Sequence, residues 1–258
     1  MHLLFIAQGI GVATVYYGDI EPDFKEGIKF GIRGHYLKPG TLQPAPDECG
    51  ANSAWSWGLN CAIDYFETDK RIDSKRMALF GVSRLGKTVL WTGARDMRFK
   101  MIIASCSGEG GGASSLRDYS ENIKHLTDAS HYFYQFAAND HSYASRIHEF
   151  PVDAHMLIAL IAPRPFYLRT GYSDNWSDPK GEFLAAVETD AGTSVFAMNV
   201  TVDSFDDLKN NVRIRLTKDI LRELKLSNRI ETFGRINLLV PKLPSSFVYF
   251  PPLAYSIK

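Results

Sequence analysis

The sequence predicts an α/β fold with a doubly wound, mostly parallel sheet. Short apolar runs typical of buried strands, at 76–80, 100–105 and 166–170, alternate with stretches of helical spacing. This alternation favours a parallel sheet, because each crossover helix returns the chain to the same end of the sheet. One of the strands runs into a serine turn and then a helix, which puts a polar group at the carboxyl end of the strands, where such folds bind ligands.

Each predicted element has its own signal. Residues 11–17 are predicted to form a buried parallel strand that exits at Gly18. Apolar residues at helical spacing predict a helix over 50–68 that packs on the sheet: Ala54, Trp57, Leu59, Ala62, Ile63 and Phe66. The remaining prediction, in order, is strand 76–80, helix 87–96, strand 100–105, a polar insertion to about 150, helix 153–161 and strand 166–170.

Composition favours a single globular core and argues against several partners. The 258 residues are 45% hydrophobic and 22% charged, which is enough to bury a core without a metal or disulfide. Lys plus Arg and Asp plus Glu both number 29, so nothing favours nucleic acid or an anionic membrane as a partner. The apolar start of the sequence runs directly into the segment at 11–17, so we expect it to belong to the fold and not to a signal peptide or membrane span. Three cysteines without metal-type spacing are predicted to be small buried thiols: Cys49, Cys61 and Cys106.

The serine turn is the strongest candidate for chemistry. Ser83 stands between Gly81 and Gly86, and side chains at those two positions would clash with the neighbouring strand or helix. A serine hydroxyl becomes a nucleophile only when a base takes its proton and backbone N–H groups stabilise the oxyanion, and an exposed turn supplies one such donor. The alternative is a Gly-Ser turn that only caps the following helix.

Several motifs together resemble one enzyme family. The turn Gly81–Lys87 is joined, in order, by five further segments: Gly11–Phe24, Ala54–Leu59, Ile102–Gly111, Pro151–Pro165 and Trp176–Leu184. Over roughly residues 9–187 the chain resembles bacterial glucuronoyl esterases, carbohydrate esterases of α/β-hydrolase fold. The resemblance implies that this fold is incomplete at the N-terminus of the chain and diverges at the C-terminus.

The resemblance also implies catalytic roles. Ser83 is expected to be the nucleophile, with Arg84 and the backbone at Gly18 holding the oxyanion. The family's glutamate position is occupied by Cys106, which cannot serve as the acid, so Asp153 is the expected acid that orients the base. Asp153 also suits a helix N-cap, and the two roles do not exclude each other.

The expected substrate follows from the same resemblance. Lys87, Glu121 and Trp176 match positions that contact the uronic acid, although for an isolated lysine a solvated position is the ordinary alternative. The implied substrate is an ester of 4-O-methyl-glucuronic acid on glucuronoxylan, as in lignin–carbohydrate linkages. No metal or organic cofactor is implied. Two alternatives stay open: a non-catalytic relative of the fold, and a general acyl or acetyl-xylan esterase.

The base is missing from this prediction. An α/β-hydrolase places it after the acid, and the sequence has no histidine after His155. His155 is expected to pack or to support the acid. The other histidines are expected to be structural or at the surface: His2, His35, His125, His131, His141 and His148.

The expected organisation is a partial α/β-hydrolase domain over 1–190 and a divergent tail over 191–258. The tail carries a charged run with helical spacing at 213–229 and shows little apolar patterning that could complete the sheet. We therefore expect the 258-residue product to lack the base, to show weak or no activity and to aggregate through the strand at 11–17. A complete protein is expected to be a monomer, and the resemblance implies a secreted or periplasmic location.

Overall fold

A computed structural model of the chain describes residue 6 and residues 10–171, 174–189, 195–200 and 246–249. Its sheet has six strands, all paired in parallel, in the order β1-β6-β2-β3-β4-β5. The strands are β1 (Gly11–Thr14), β2 (Met77–Val82), β3 (Phe99–Ser105), β4 (Phe166–Gly171), β5 (Val195–Val200) and β6 (Ser246–Tyr249). The predicted parallel α/β sheet is therefore confirmed.

The helices are α1 (Ile32–Tyr36), α2 (Ala51–Thr68), α3 (Arg84–Arg95), α4 (Ile123–Leu126), α5 (Ala154–Ala159) and α6 (Pro179–Glu188). Helix α6 has no counterpart in the prediction, although a proline in its first turn is an ordinary start signal. The long insertion after β3 consists of short 3₁₀ turns and α4: Ser115–Arg117, Phe133–Gln135, Ala138–Tyr143 and Ile147–Glu149. Within the described part of the chain, the helices are too short or too polar to span a bilayer.

The core forms because alternate residues of the central strands point to opposite faces of the sheet. Met77 and Leu79 of β2 belong to a large apolar cluster with residues of α2, α3, α5 and α6. Ala78 of β2 belongs to a smaller cluster on the other face with Met101 and Ile103 of β3. Strand β2, which leads into the turn at Ser83, thus packs against a layer of helices.

Two predictions about buried side chains are wrong. Trp55, and not Trp57, faces the core from α2: Trp55 is fully buried and its indole N–H donates to the Glu21 carbonyl at 2.8 Å, whereas Trp57 is 44% exposed. Cys49 and Cys61 are exposed free thiols and Cys106 is half-buried. Cys61 lies on the solvent side of α2, because the buried face runs through Leu59 and Ile63.

The tail contributes two strands that the sequence analysis does not predict. β5 extends the sheet beside β4, and β6 lies between β1 and β2, parallel to both. The expectation that the tail has little patterning able to complete the sheet is wrong for β5 and β6, and in β6 Phe, Val and Tyr favour a strand. The helical spacing at 213–229 lies outside the described residues, and the division at residue 190 stays a prediction.

Candidate active site

The turn after β2 holds Ser83 in a conformation that few residues adopt. Its φ of 58° and ψ of −128° lie in a region that favours glycine, so a serine there is strained. Ser83 is the residue before α3, yet its side chain makes no capping hydrogen bond. The interpretation of Ser83 as a capping residue therefore lacks the bond on which it depends, and the hydroxyl lies exposed at the carboxyl end of the sheet.

Both glycines of the turn are required by close contacts. A Cβ atom on Gly81 would lie 2.1 Å from the Leu85 carbonyl oxygen, and one on Gly86 would lie 2.9 Å from the Ser107 Cβ. The backbone is held on the other side by the Ser83 N–H, which donates to the Ser105 carbonyl at 2.8 Å. The local sequence thus folds into a sharp strand-to-helix turn for the reason predicted.

A pocket opens at this turn. Its empty volume is about 290 Å³, counted to include space open to solvent. Eight residues line it: Ser83, Arg84, Lys87, Glu121, Leu126, Tyr132, Gln135 and Trp176. Five of these are residues that the sequence analysis singles out, from three separate segments of the chain, and the fold brings them to one place.

Asp23 fixes the side chain of Arg84 at this pocket. The Arg84 Nη1 donates to Asp23 Oδ2, and the guanidinium also lies over the Tyr132 ring, 5.0 Å from its centroid. Asp23 Oδ1 accepts from the Tyr134 hydroxyl at 2.8 Å and from Gln135 Nε2 at 2.9 Å. The sequence analysis gives Asp23 no role, although a segment with two carboxylates flanking a proline, Glu21-Pro22-Asp23, is an available signal.

Lys87 forms a buried ion pair with Glu121. Its side chain is only 4% exposed, so the alternative of a solvated lysine is wrong. The Lys87 ammonium donates to Glu121 Oε2 at 2.8 Å and to the Ser107 carbonyl at 2.6 Å. Gly108, at φ 61°, leaves room for the pair, because a Cβ there would lie 2.6 Å from Glu121 Oε2. Trp176 closes the same side of the pocket and is 49% exposed.

Asp153 lies outside the residues that line the pocket. It is buried and caps α5: Oδ1 accepts from the Ala154 N–H at 2.7 Å. The same oxygen accepts from the Ser115 N–H at 2.8 Å, and Oδ2 accepts from the Ser114 hydroxyl at 2.7 Å. The N-cap role is confirmed, and the catalytic role stays a prediction.

A second buried carboxyl lies beside Asp153. Glu109 is 3% exposed, and its Oε1 accepts from the Ser115 hydroxyl. Burial raises the pKa of Glu109 to about 7, against the Ser115 hydrogen bond and the Lys87 charge, which favour the ionised form. The Ser114-Ser115 turn therefore links two carboxyl groups that lie behind the Lys87 side of the pocket.

Cys106 occupies the turn after β3, next to the strand that carries Ser83. Its φ of 47° is again in the region that favours glycine. Burial, followed by the charges of Asp174 and Glu182, raises the pKa of the thiol to about 11. A thiol that stays protonated at neutral pH cannot hold a histidinium, which agrees with the prediction that Cys106 does not act as the acid.

Gly18 follows β1 in a 3₁₀ turn, and its backbone lies against the Tyr16 ring; it is not among the residues that line the pocket. The histidines that the structure describes also lie off the pocket lining. His125 contacts His131 with ring centroids 4.1 Å apart and planes tilted by 42°, and it meets Trp176, a residue of the pocket lining, edge-on at 4.8 Å. Over the described residues, no group of three or more histidine, cysteine and carboxylate side chains is arranged to hold a metal ion.

Comparison with known proteins identifies the chain's relatives. A family model described as glucuronyl esterase of fungi matches residues 6–198. Carbohydrate esterase MZ0003, from an unknown prokaryotic organism, is 48% identical over 187 residues, covering 72% of this chain and 42% of that protein. A 4-O-methyl-glucuronoyl methylesterase of Podospora anserina is 28% identical over 174 residues, covering 64% of this chain and 36% of that protein.

Solved structures give the same result. A glucuronoyl esterase from Solibacter usitatus superposes with a TM-score of 0.65 at 40% identity, over 75% of this chain and 56% of that one. A promiscuous esterase of carbohydrate esterase family 15, from a marine bacterial metagenome, gives 0.61 at 45% identity over 69% and 44%. These matches confirm the resemblance and the α/β-hydrolase fold. The chain spans about two-fifths of the length of the first curated relatives that it matches.

Proposed function

The chain belongs to the glucuronoyl esterase family, and we propose that it carries a serine esterase site for esters of 4-O-methyl-glucuronic acid. One observation carries the proposal: a strained, uncapped Ser83 shares a pocket with Arg84, Lys87, Glu121 and Trp176. A strained backbone at a polar pocket is typical of a functional site, because a purely structural turn would relax by using glycine.

In this proposal, Ser83 Oγ attacks the ester carbonyl while a base takes its proton. The tetrahedral intermediate places its negative charge beside Arg84, which donates from its guanidinium and its backbone N–H, and beside the backbone near Gly18. Collapse breaks the bond to the alcohol, which leaves with the proton, and an ester between the uronoyl carbon and Ser83 remains. Water then cleaves that ester and releases the uronic acid, so that Ser83 is regenerated.

The sugar is assigned to the other wall of the pocket. The Lys87–Glu121 pair offers a donor and an acceptor at fixed positions, which suits the hydroxyls of a uronic acid. Trp176 exposes half of its surface there and supplies a face for stacking on the ring. The proposed polymer is glucuronoxylan, cleaved at its esters with alcohols such as those of lignin, and the proposal includes a secreted or periplasmic location.

The base is the part that the described residues do not supply. Asp153 is proposed to orient it, yet each carboxylate oxygen of Asp153 bonds to the Ser114-Ser115 turn or to the α5 backbone, and no described histidine lines the pocket. This observation favours a second candidate function, a non-catalytic module that binds a uronic acid in the same pocket.

Serine labelling tests the proposal. The protein extended to restore the missing strands and the base, incubated with a fluorophosphonate probe, is expected to be labelled at Ser83, and Ser83→Ala in that protein is expected to lose the label. Ser130→Ala is the matched control, because Ser130 is an exposed serine that bonds to Asp128 away from the pocket. Undiminished labelling of Ser83→Ala would remove Ser83 from the mechanism.

Two further measurements separate the candidates. An esterase for uronic acids is expected to hydrolyse methyl glucuronate much faster than p-nitrophenyl acetate, because contacts to the sugar are used in the transition state. Equal rates on both would favour a general acyl esterase. Binding of methyl glucuronate without any labelling or turnover would favour the non-catalytic module.

A further inference from the structure

We propose that Asp23 is the residue that positions Arg84 at the pocket, an inference that rests on the esterase function proposed above. Asp23 is two residues from Glu21 on the loop after β1, and its side chain is 6% exposed. It does not line the pocket, so its effect on the reaction would pass through Arg84.

The Asp23 carboxylate is held from several directions. Oδ1 accepts from the Tyr134 hydroxyl and from Gln135 Nε2, while Oδ2 accepts from the Tyr17 hydroxyl at 3.3 Å and from Arg84 Nη1. These donors come from the loop after β1, from the 3₁₀ turn at Phe133–Gln135 and from α3. Because donors from two segments besides α3 fix the Asp23 carboxylate, its position does not depend on Arg84. The carboxylate therefore determines where the guanidinium lies.

The two tyrosines are permanent donors in this arrangement. Burial, followed by the charge of Asp23, raises the pKa of Tyr17 and of Tyr134 well above the usual range. Both phenols therefore stay protonated at neutral pH, so their hydroxyls remain donors to the Asp23 carboxylate.

A fixed guanidinium matters because arginine is long and flexible. A donor that is already aimed at the position of a developing oxyanion stabilises it without reorganising during the reaction, whereas a mobile side chain loses rotamer freedom each time. Asp23 binds one end of the Arg84 guanidinium and the Tyr132 ring covers its face, which restricts the orientation of the arginine at the pocket that Ser83 also lines.

The first test measures the reaction through Ser83. Asp23→Asn keeps the acceptor for Tyr134 and Gln135 and replaces Oδ2 by an amide, which cannot accept from Arg84. The rate of fluorophosphonate labelling of the protein extended to restore the base is expected to fall about 10- to 100-fold. Glu26→Gln is the matched control: it neutralises an exposed acid three residues further along, paired with Lys29, and is expected to label at the wild-type rate.

A double variant asks whether Asp23 acts through Arg84. On an Arg84→Gln background, Asp23→Asn is expected to cause no further loss of labelling rate. An equal loss on both backgrounds would overturn the inference, because Asp23 would then act independently of the arginine. A wild-type rate for Asp23→Asn alone would overturn it as well.

The second test does not need reactivity. The Arg84 Nε–H resonance, identified by its absence in Arg84→Lys, is expected to shift or broaden in Asp23→Asn and to stay in place in Glu26→Gln. An unchanged resonance in Asp23→Asn would overturn the inference. If the protein extended to restore the base is not labelled at all, the proposed esterase function fails; a shifted resonance would then still support the positioning of Arg84 by Asp23.

Discussion

Two carboxylates on the loop after β1 pair with arginines, and the two pairs differ in what surrounds them. Glu21 is fully buried and binds Arg33 through both oxygens, and Arg33 also donates to the carbonyls of Cys49 and Tyr134. Asp23 binds Arg84, whose side chain lines the pocket. Two carboxylate–arginine pairs on one loop thus have different roles. The Glu21 pair holds the loop to the rest of the fold, whereas the Asp23 pair positions a guanidinium at the pocket.

The difference shows which ion pair should matter for stability. The Arg33 guanidinium bonds to Glu21 and to the carbonyls of Cys49 and Tyr134, so protein groups replace the solvation of both partners of this pair. Arg84 is 19% exposed, against 14% for Arg33, and it lines a pocket that is open to solvent, so water can reach its guanidinium when Asp23 is lost. The Glu21 pair is therefore predicted to contribute stability, and the Asp23 pair to contribute function.

The largest effect is expected from breaking the scaffold pair. Glu21→Gln leaves the Arg33 charge without its counterion in a buried setting, and the free energy of unfolding should fall by about 3–5 kcal/mol. Asp23→Asn should cost clearly less. Urea unfolding followed by circular dichroism measures both, with Glu26→Gln as a control that changes stability by about 0.5 kcal/mol or less, because its pair is exposed. Equal losses at Glu21 and Asp23 would contradict the comparison.

The sequence alone predicts neither of these two ion pairs. Glu21 and Asp23 flank the same proline, and nothing local distinguishes a carboxylate that meets Arg33 from one that meets Arg84. The serine turn is different, because close contacts at Gly81 and Gly86 exclude side chains there. The turn could therefore be predicted from the seven residues Gly81–Lys87. Local geometry is encoded locally, whereas the partner of a long side chain depends on how distant segments pack.

The same distinction explains the other outcomes. Strands β2, β3 and β4 were predictable because buried parallel strands are short apolar runs. The choice between Trp55 and Trp57 was available from the sequence, because Trp55 lies four and eight residues before Leu59 and Ile63 and shares their face of α2, whereas Trp57 is turned by about 200°. The burial of Lys87 depends on Glu121, which lies 34 residues away across the insertion.

A second prediction compares Glu21 with Glu109, a buried carboxyl that is bonded to a serine and not to an arginine. Glu109 is as buried as Glu21 but is bonded to a serine, and burial raises its pKa to about 7. The folded state therefore holds its proton more tightly than the unfolded state, in which a glutamate titrates near 4.3, and stability falls as pH rises between these values. Over this range the contribution amounts to about 4 kcal/mol, from 1.4 kcal/mol per pKa unit.

Glu109→Gln removes this contribution while keeping the shape and an acceptor for Ser115. Other groups titrate over the same range, so the quantity to measure is the difference in unfolding free energy between the variant and the wild type at pH 4.5, 6 and 7.5. The variant is expected to gain relative to the wild type as pH rises. A difference that is flat with pH would show that Glu109 titrates normally.

The smallest effect is expected at Ser83, with the opposite sign to that at Glu21. A residue held at φ 58° and ψ −128° costs about 1–3 kcal/mol unless it is glycine, for which this region mirrors an ordinary extended conformation. Glycine also gives the unfolded chain more freedom, which offsets about 0.5–1 kcal/mol. Ser83→Gly should therefore raise the free energy of unfolding by about 1 kcal/mol.

The control variant Ser83→Ala, which removes the same hydroxyl but keeps the Cβ, should leave the free energy of unfolding within about 0.5 kcal/mol of the wild type. Equal stabilities for the two variants would mean that the turn carries no strain. If Ser83→Gly is more stable but is no longer labelled, the backbone conformation at residue 83 lowers the free energy of unfolding at the position where the reactive hydroxyl is needed. The Glu21–Arg33 pair, in contrast, only adds to stability.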